Sequence, residues 1–63
     1  MTNLQEVRDL IKNCNPMLLG SFSIATGKLV VYKDSDILVS IINSSGKFPK
    51  CHYDINTRTI QFQ

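Results

Sequence analysis

Between Met17 and Ile42 the chain concentrates most of its large apolar side chains: Phe22, Ile24, Leu29, Val30, Val31, Tyr32, Ile37, Leu38, Val39, Ile41 and Ile42. Two polar interruptions, Ala25-Thr26-Gly27-Lys28 and Lys33-Asp34-Ser35-Asp36, break the run. β-Branched residues dominate the stretch and both interruptions have turn composition, so it predicts three short strands joined as a meander. A chain with this centre has to fold around a sheet.

The 63 residues are expected to form one domain, and a chain of that length hides only about 60% of the surface it exposes when unfolded. Burial and ordering entropy nearly cancel at this size, which calls for a staple or a partner chain. A disulfide between Cys14 and Cys51 would be such a staple, but secreted mini-proteins carry more cysteines at closer spacing. The opening Met1-Thr2-Asn3-Leu4-Gln5-Glu6 has neither a basic start nor an apolar run. No secretory leader is expected from it. The expectation is therefore free thiols and a cytoplasmic protein, of a bacterium or of a host cell.

No apolar run approaches the roughly 20 residues of a membrane span, so no membrane partner is expected. A net charge of +2 is too small for a strong field toward nucleic acid or anionic lipid. At 43% hydrophobic and 19% charged residues the composition is that of a globular domain. Ile, Lys and Asn together supply seventeen residues, Lys outnumbers Arg five to two, and Trp is absent. That bias belongs to AT-rich coding sequences, shared by phages, mobile elements and AT-rich bacteria.

Residues 3–14 read as an amphipathic helix. Leu4, Val7, Leu10, Ile11 and Cys14 recur every three or four positions, and Gln5, Glu6, Arg8, Asp9, Lys12 and Asn13 fill the other face. Thr2 with Gln5, or Asn3 with Glu6, fits a capping box, and Pro16 ends the helix by biasing Asn15 away from helical angles. After Pro16 the period changes to two. Leu18, Phe22 and Ile24 share one face of a strand with Gly20 between them, where a bulge would bend the sheet. Thr26-Gly27 suits a tight hairpin leading into Leu29–Tyr32. Ile37–Ile42 reads as a further strand, apolar on nearly both faces, like Leu29–Tyr32. Two such strands leave surface that one helix cannot cover, which argues for a homodimer, a higher oligomer or a bound partner protein. After the long loop 43–50, residues 51–55 and 59–63 read as a C-terminal hairpin whose last strand is an open edge.

Motifs with chemistry are sparse. Ser45-Gly46-Lys47 lacks the first glycine and the final hydroxyl of a phosphate loop, since Ile41 and Phe48 stand there. Asp34 and Asp36 open like a calcium loop without its later ligands. Cys51 and His52 point to opposite faces of a strand, and with Cys14 fall short of a zinc set, so no metal or cofactor is expected. His52 and Asp54 share a strand face as a general-base pair, yet no nucleophile accompanies them, and an enzyme is not expected. The least ordinary constellation is the basic second half: Lys47, Phe48, Lys50, His52, Tyr53 and Arg58 interleave positive charge with aromatic rings. Such a mixture serves single-stranded nucleic acid, through phosphate attraction and base stacking, and serves an acidic protein surface equally well.

The fold expected is α+β, an N-terminal amphipathic helix on a curved antiparallel sheet of four to five strands, with a small Sm/SH3-like barrel as the alternative. The function expected is a non-enzymatic protein-binding module, an inhibitor of phage or mobile-element origin that occludes a host defence protein. An RNA- or single-stranded nucleic-acid-binding module is the first alternative, and a sponge for a small nucleotide or metabolite at a subunit interface is the second. Lys47, Phe48, Lys50, His52, Tyr53 and Arg58 are the candidate binding residues. Val30, Tyr32, Leu38, Ile42, Ile60 and Phe62 are the candidate interface.

Overall fold

The computed structural model describes residues 2–63. Helix α1 spans Leu4–Cys14; a 3₁₀ helix, Pro16–Ser21, leads into strands β1 (Phe22–Ala25) and β2 (Lys28–Val31). Helix α2 (Ser35–Ser45) follows, and the chain continues with β3 (Cys51–Asp54) and β4 (Thr59–Phe62). The fold is α+β, and its four antiparallel strands lie in the order β1-β2-β4-β3 without closing into a barrel.

The N-terminal helix forms where its periodicity places it. Asn3 is the N-cap, its Oδ1 accepting from the Gln5 amide at 3.0 Å, and Val7 and Ile11 are buried on the inner face. At the far end the Asn15 amide donates to the Ile11 carbonyl while the Asn15 side chain accepts from Met17. One asparagine thus closes α1 and opens the 3₁₀ helix. This capping, with Pro16 at the first helical position, draws residues 16–21 out of the expected strand, and Gly20 falls inside the 3₁₀ helix instead of at a bulge. The strand begins only at Phe22.

The main correction concerns Ile37–Ile42, which lies inside α2 and not in a strand. Its apolar residues read at helical spacing too: Leu38 and Ile42, four apart, are fully buried, whereas Asp36, Ser40 and Ser44 are exposed. Gly46, with φ +70°, closes the helix in the left-handed conformation typical of a C-terminal stop. Burial of Leu38 and Ile42 under the fold outweighs the strand preference of the β-branched residues, a local term worth at most about 1 kcal/mol. The expected meander fails with that strand. Two hairpins take its place, and β4 inserts between β2 and β3.

Register assigns the two faces of the sheet. Phe22 pairs with Val31, Ile24 with Leu29, Leu29 with Ile60, Tyr53 with Ile60 and Cys51 with Phe62, so these residues share one face. Phe22, Leu29, Val31, Ile60 and Cys51 form one buried cluster with Val7, Ile11, Leu18, Leu38 and Ile42 from the helical segments. The opposite face carries Ser23, Lys28, Val30, His52, Asp54, Thr59 and Gln61. Several of its polar groups pair with one another. Gln61 Nε2 donates to Asp54 Oδ2 at 3.1 Å, and the Ser23 and Tyr32 hydroxyls lie 2.6 Å apart. Helix α2 joins α1 on the buried face, so Ile37–Ile42 does not form a second doubly apolar strand, while Val30 stays on the open face of the sheet.

Two local devices fix the sheet's ends. Thr26 and Gly27, at φ +50° and +73°, form the two-residue turn between the paired Ala25 and Lys28. Both central residues need positive φ in such a turn, a poor fit for β-branched Thr. Thr26→Asn is expected to stabilise the fold by about 1 kcal/mol, read as a higher urea midpoint at unchanged slope. At the other edge Asn43 of α2 donates through Nδ2 to the Cys51 carbonyl (3.1 Å) and accepts at Oδ1 from the Cys51 amide (2.9 Å). Its amide stands in for a neighbouring strand. Asn43→Ala leaves both Cys51 backbone groups without that partner and should cost about 1–3 kcal/mol in the same denaturation experiment.

Candidate functional site

Strand β2 begins at Lys28, and its pairing with β4 covers Leu29 with Ile60 and Val30 with Thr59. β4 runs on: Gln61 and Phe62 pair with His52 and Cys51 of β3, but among the described residues nothing is paired with them on the β2 side. The hairpin turn at Thr26-Gly27 ends one lane of the sheet while its neighbour continues. The notch so formed is a groove of about 730 Å³. Leu4, Leu29, Phe48, Ile60 and Phe62 give it an apolar lining, Lys28 and Lys47 contribute cations, and Thr2, Asn3 and Glu6 bring the start of α1 to its rim. The size lies within the range of ordinary ligand sites.

A second depression, of about 360 Å³, adjoins the first and shares Glu6, Lys47 and Phe48 with it. Its further lining comes from α1: Asp9, Leu10 and Asn13. Spacings of three and four place these side chains along one stripe of the helix beside the Lys47-Phe48 loop. Lys28 therefore stands at the β2 end of the combined trough and Asp9 at the α1 end, while Lys47 and Glu6 line both parts.

The expected binding residues divide. Lys47 and Phe48 meet in the groove, where Phe48 is half-buried against the core. Lys50 is exposed at the open end of the β3–β4 hairpin, where its carbonyl accepts from the Gln63 amide. His52 and Tyr53 occupy opposite faces, His52 exposed and Tyr53 half-buried against the core. Arg58 sits in the turn at the other end of that hairpin, with φ +57°, its carbonyl accepting from the Val31 amide. The hairpin thus carries Arg58 away from the long loop. Lys28 takes its place near Lys47, because β2 is antiparallel to β4 and starts where β4 ends. Sequence reading missed Lys28, and the signal was the Thr26-Gly27 turn it follows.

Of the residues expected at an interface, Leu38, Ile42 and Ile60 are buried in the core and present no docking surface. Val30 is half-buried on the open face of the sheet, Tyr32 is exposed, and Phe62 lines the groove. Among the described residues no cluster of three or more His, Cys, Asp or Glu is placed to hold a metal, and no helix is long and apolar enough to cross a membrane. Comparison of the chain with protein-family models, curated proteins and solved structures finds no match.

Both cysteines are free, Cys14 exposed and Cys51 buried. Desolvation pushes the Cys51 thiol above its ordinary value of 9.0. A raised pKa in the folded state gives stability that is intact below the unfolded thiol's pKa and is lost as pH rises above it. Maleimide at neutral pH should label Cys14 in the native protein and Cys51 only on unfolding, as read by mass spectrometry. Denaturation midpoints should fall with rising pH above about 9, and less steeply in Cys51→Val.

Proposed function

We propose that this protein is a small non-enzymatic binding module that acts by occupying a surface of another protein. The observation that carries the reading is the notch beside β4, an apolar groove opened where the pairing of β2 with β4 stops at Leu29 and Ile60, and rimmed by Lys28 and Lys47. The AT-rich composition supports an origin in a phage or mobile element, and an inhibitor of a host defence protein working in the cytoplasm is the specific form proposed. That last step is an association from composition, separate from the chemistry of the groove.

The geometry favours this reading over the nucleic-acid alternative. Phe48 and Tyr53 are half-buried against the core, and Arg58, in the turn at the far end of the hairpin, stands apart from Lys47 and Lys50.

Expression in bacteria carrying single defence systems, followed by phage challenge, tests the proposal. Plating should recover with at least one system, and the defence protein should co-elute with this chain as a stoichiometric complex. Failure on both counts overturns the inhibitor reading. Salt-sensitive retention of a random single-stranded oligonucleotide, abolished by replacing Lys28, Lys47 and Lys50 with Ala, would move the assignment to nucleic acid.

A further inference from the structure

We propose that the notch beside β4 is a docking lane for an extended peptide of the partner protein, one that carries an acidic residue, then apolar residues, then a basic residue along the trough. The inference rests on the binding-module reading and names the chemistry of its partner.

The backbone gives the first argument. The Gln63 amide donates to the Lys50 carbonyl, which turns the backbone groups of alternate residues, Gln63, Gln61 and Thr59, toward β3. By the same alternation the N–H and C=O of Phe62 point away from β3, toward the β2 side, where pairing stops at Leu29 and Ile60. Phe62 lines the groove there. A main-chain donor and acceptor at a strand edge are matched by another main chain, and strand addition is an established way for a peptide to use such an edge. A lipid tail or a simple anion leaves these groups unmet.

Shape and charge give the second. The groove adjoins a further depression, and the pair shares Glu6, Lys47 and Phe48, so the space suits a linear ligand more than a round one. From Glu6 to Asn13 the helix advances about 10 Å, a length that roughly three extended residues cover. Strand alternation then turns one side chain of the peptide onto Leu4, Phe48 and Phe62 and the next toward Lys28 and Gln61. Lys28, which lines only the larger part, selects an acidic residue at its end, and Asp9, which lines only the smaller, selects a basic one at the other. Opposite charges at the two ends fix direction as well as composition.

Selection of random short peptides by mRNA display on the intact protein tests this. Enriched peptides should share the acidic–apolar–basic order. Their affinity should fall about tenfold in Lys28→Glu/Lys47→Glu, and exchanging the peptide's acidic residue for Lys should restore it on that variant. Both lysines are exposed, so an unchanged melting curve is expected to show that the variant is folded. Enrichment of peptides indifferent to this double change overturns the docking lane while leaving the binding-module reading intact. Enrichment of no motif overturns the linear ligand. A wild-type dimer in sedimentation equilibrium that the double change disperses assigns the notch to a second copy of the chain, and overturns the proposal as well.

Discussion

The structure depends on sealing one face of a four-stranded sheet with very few side chains. Val7 and Ile11 from α1 and Leu38 and Ile42 from α2 are all fully buried, and they meet Leu29, Val31, Phe22 and Ile60 from the strands. Each such side chain contributes about 1.5–3 kcal/mol when removed from water, so every one is a sizeable share of the stability of a small domain. The second face is left open and carries Lys28 and Val30 among Ser, Thr, Gln, His and Asp, some of whose polar groups pair with one another.

Joining so few elements falls to short polar side chains that bridge between them. Asn3 starts α1, Asn15 links α1 to the 3₁₀ helix, and Asn43 ties α2 to the edge strand β3. Ser21 makes the corresponding link on the other side of the sheet. It is buried, its carbonyl accepts from the Tyr32 and Lys33 amides, and its hydroxyl donates to Asp34 Oδ2 at 3.2 Å. Asp34 holds left-handed angles at the head of α2 and uses its carboxylate on Ser21 instead of on its own helix. The start of β1 and the start of α2 are thereby fastened at one point, which sets where α2 departs to cross the sheet.

The candidate site is a by-product of these constraints. The Thr26-Gly27 turn ends β2 early, the β3–β4 hairpin carries β4 further, and the start of α1 with the Lys47-Phe48 loop walls the space left over. The notch combines an apolar lining, a strand edge and charged side chains, and the proposed recognition of another chain rests on that combination.

The amphipathic period of Leu4–Cys14, the stop at Pro16, the hairpin at Thr26-Gly27 and the alternation of the C-terminal strands were all legible in the residues, because each is a local pattern enforced by local sterics and by one partner surface. Phe48 and Lys47 were legible as candidate site residues for their chemistry alone. The nature of Ile37–Ile42 was not legible from propensity, since Ile and Val at these positions fit a strand while Leu38 and Ile42 fit a helix stripe. Asp36, Ser40 and Ser44 on the exposed side and Gly46 at the stop carry the helical signal. Only the tertiary structure decided it, because the sheet offers a face wide enough for a second helix and the energy of covering that face exceeds the local preference. The same nonlocal pairing decided that Lys28, not Arg58, stands with Lys47. By itself, then, the sequence determined the α+β class and the N-terminal helix; the place of β4 between β2 and β3, and with it the notch, came from contacts between segments far apart in the chain.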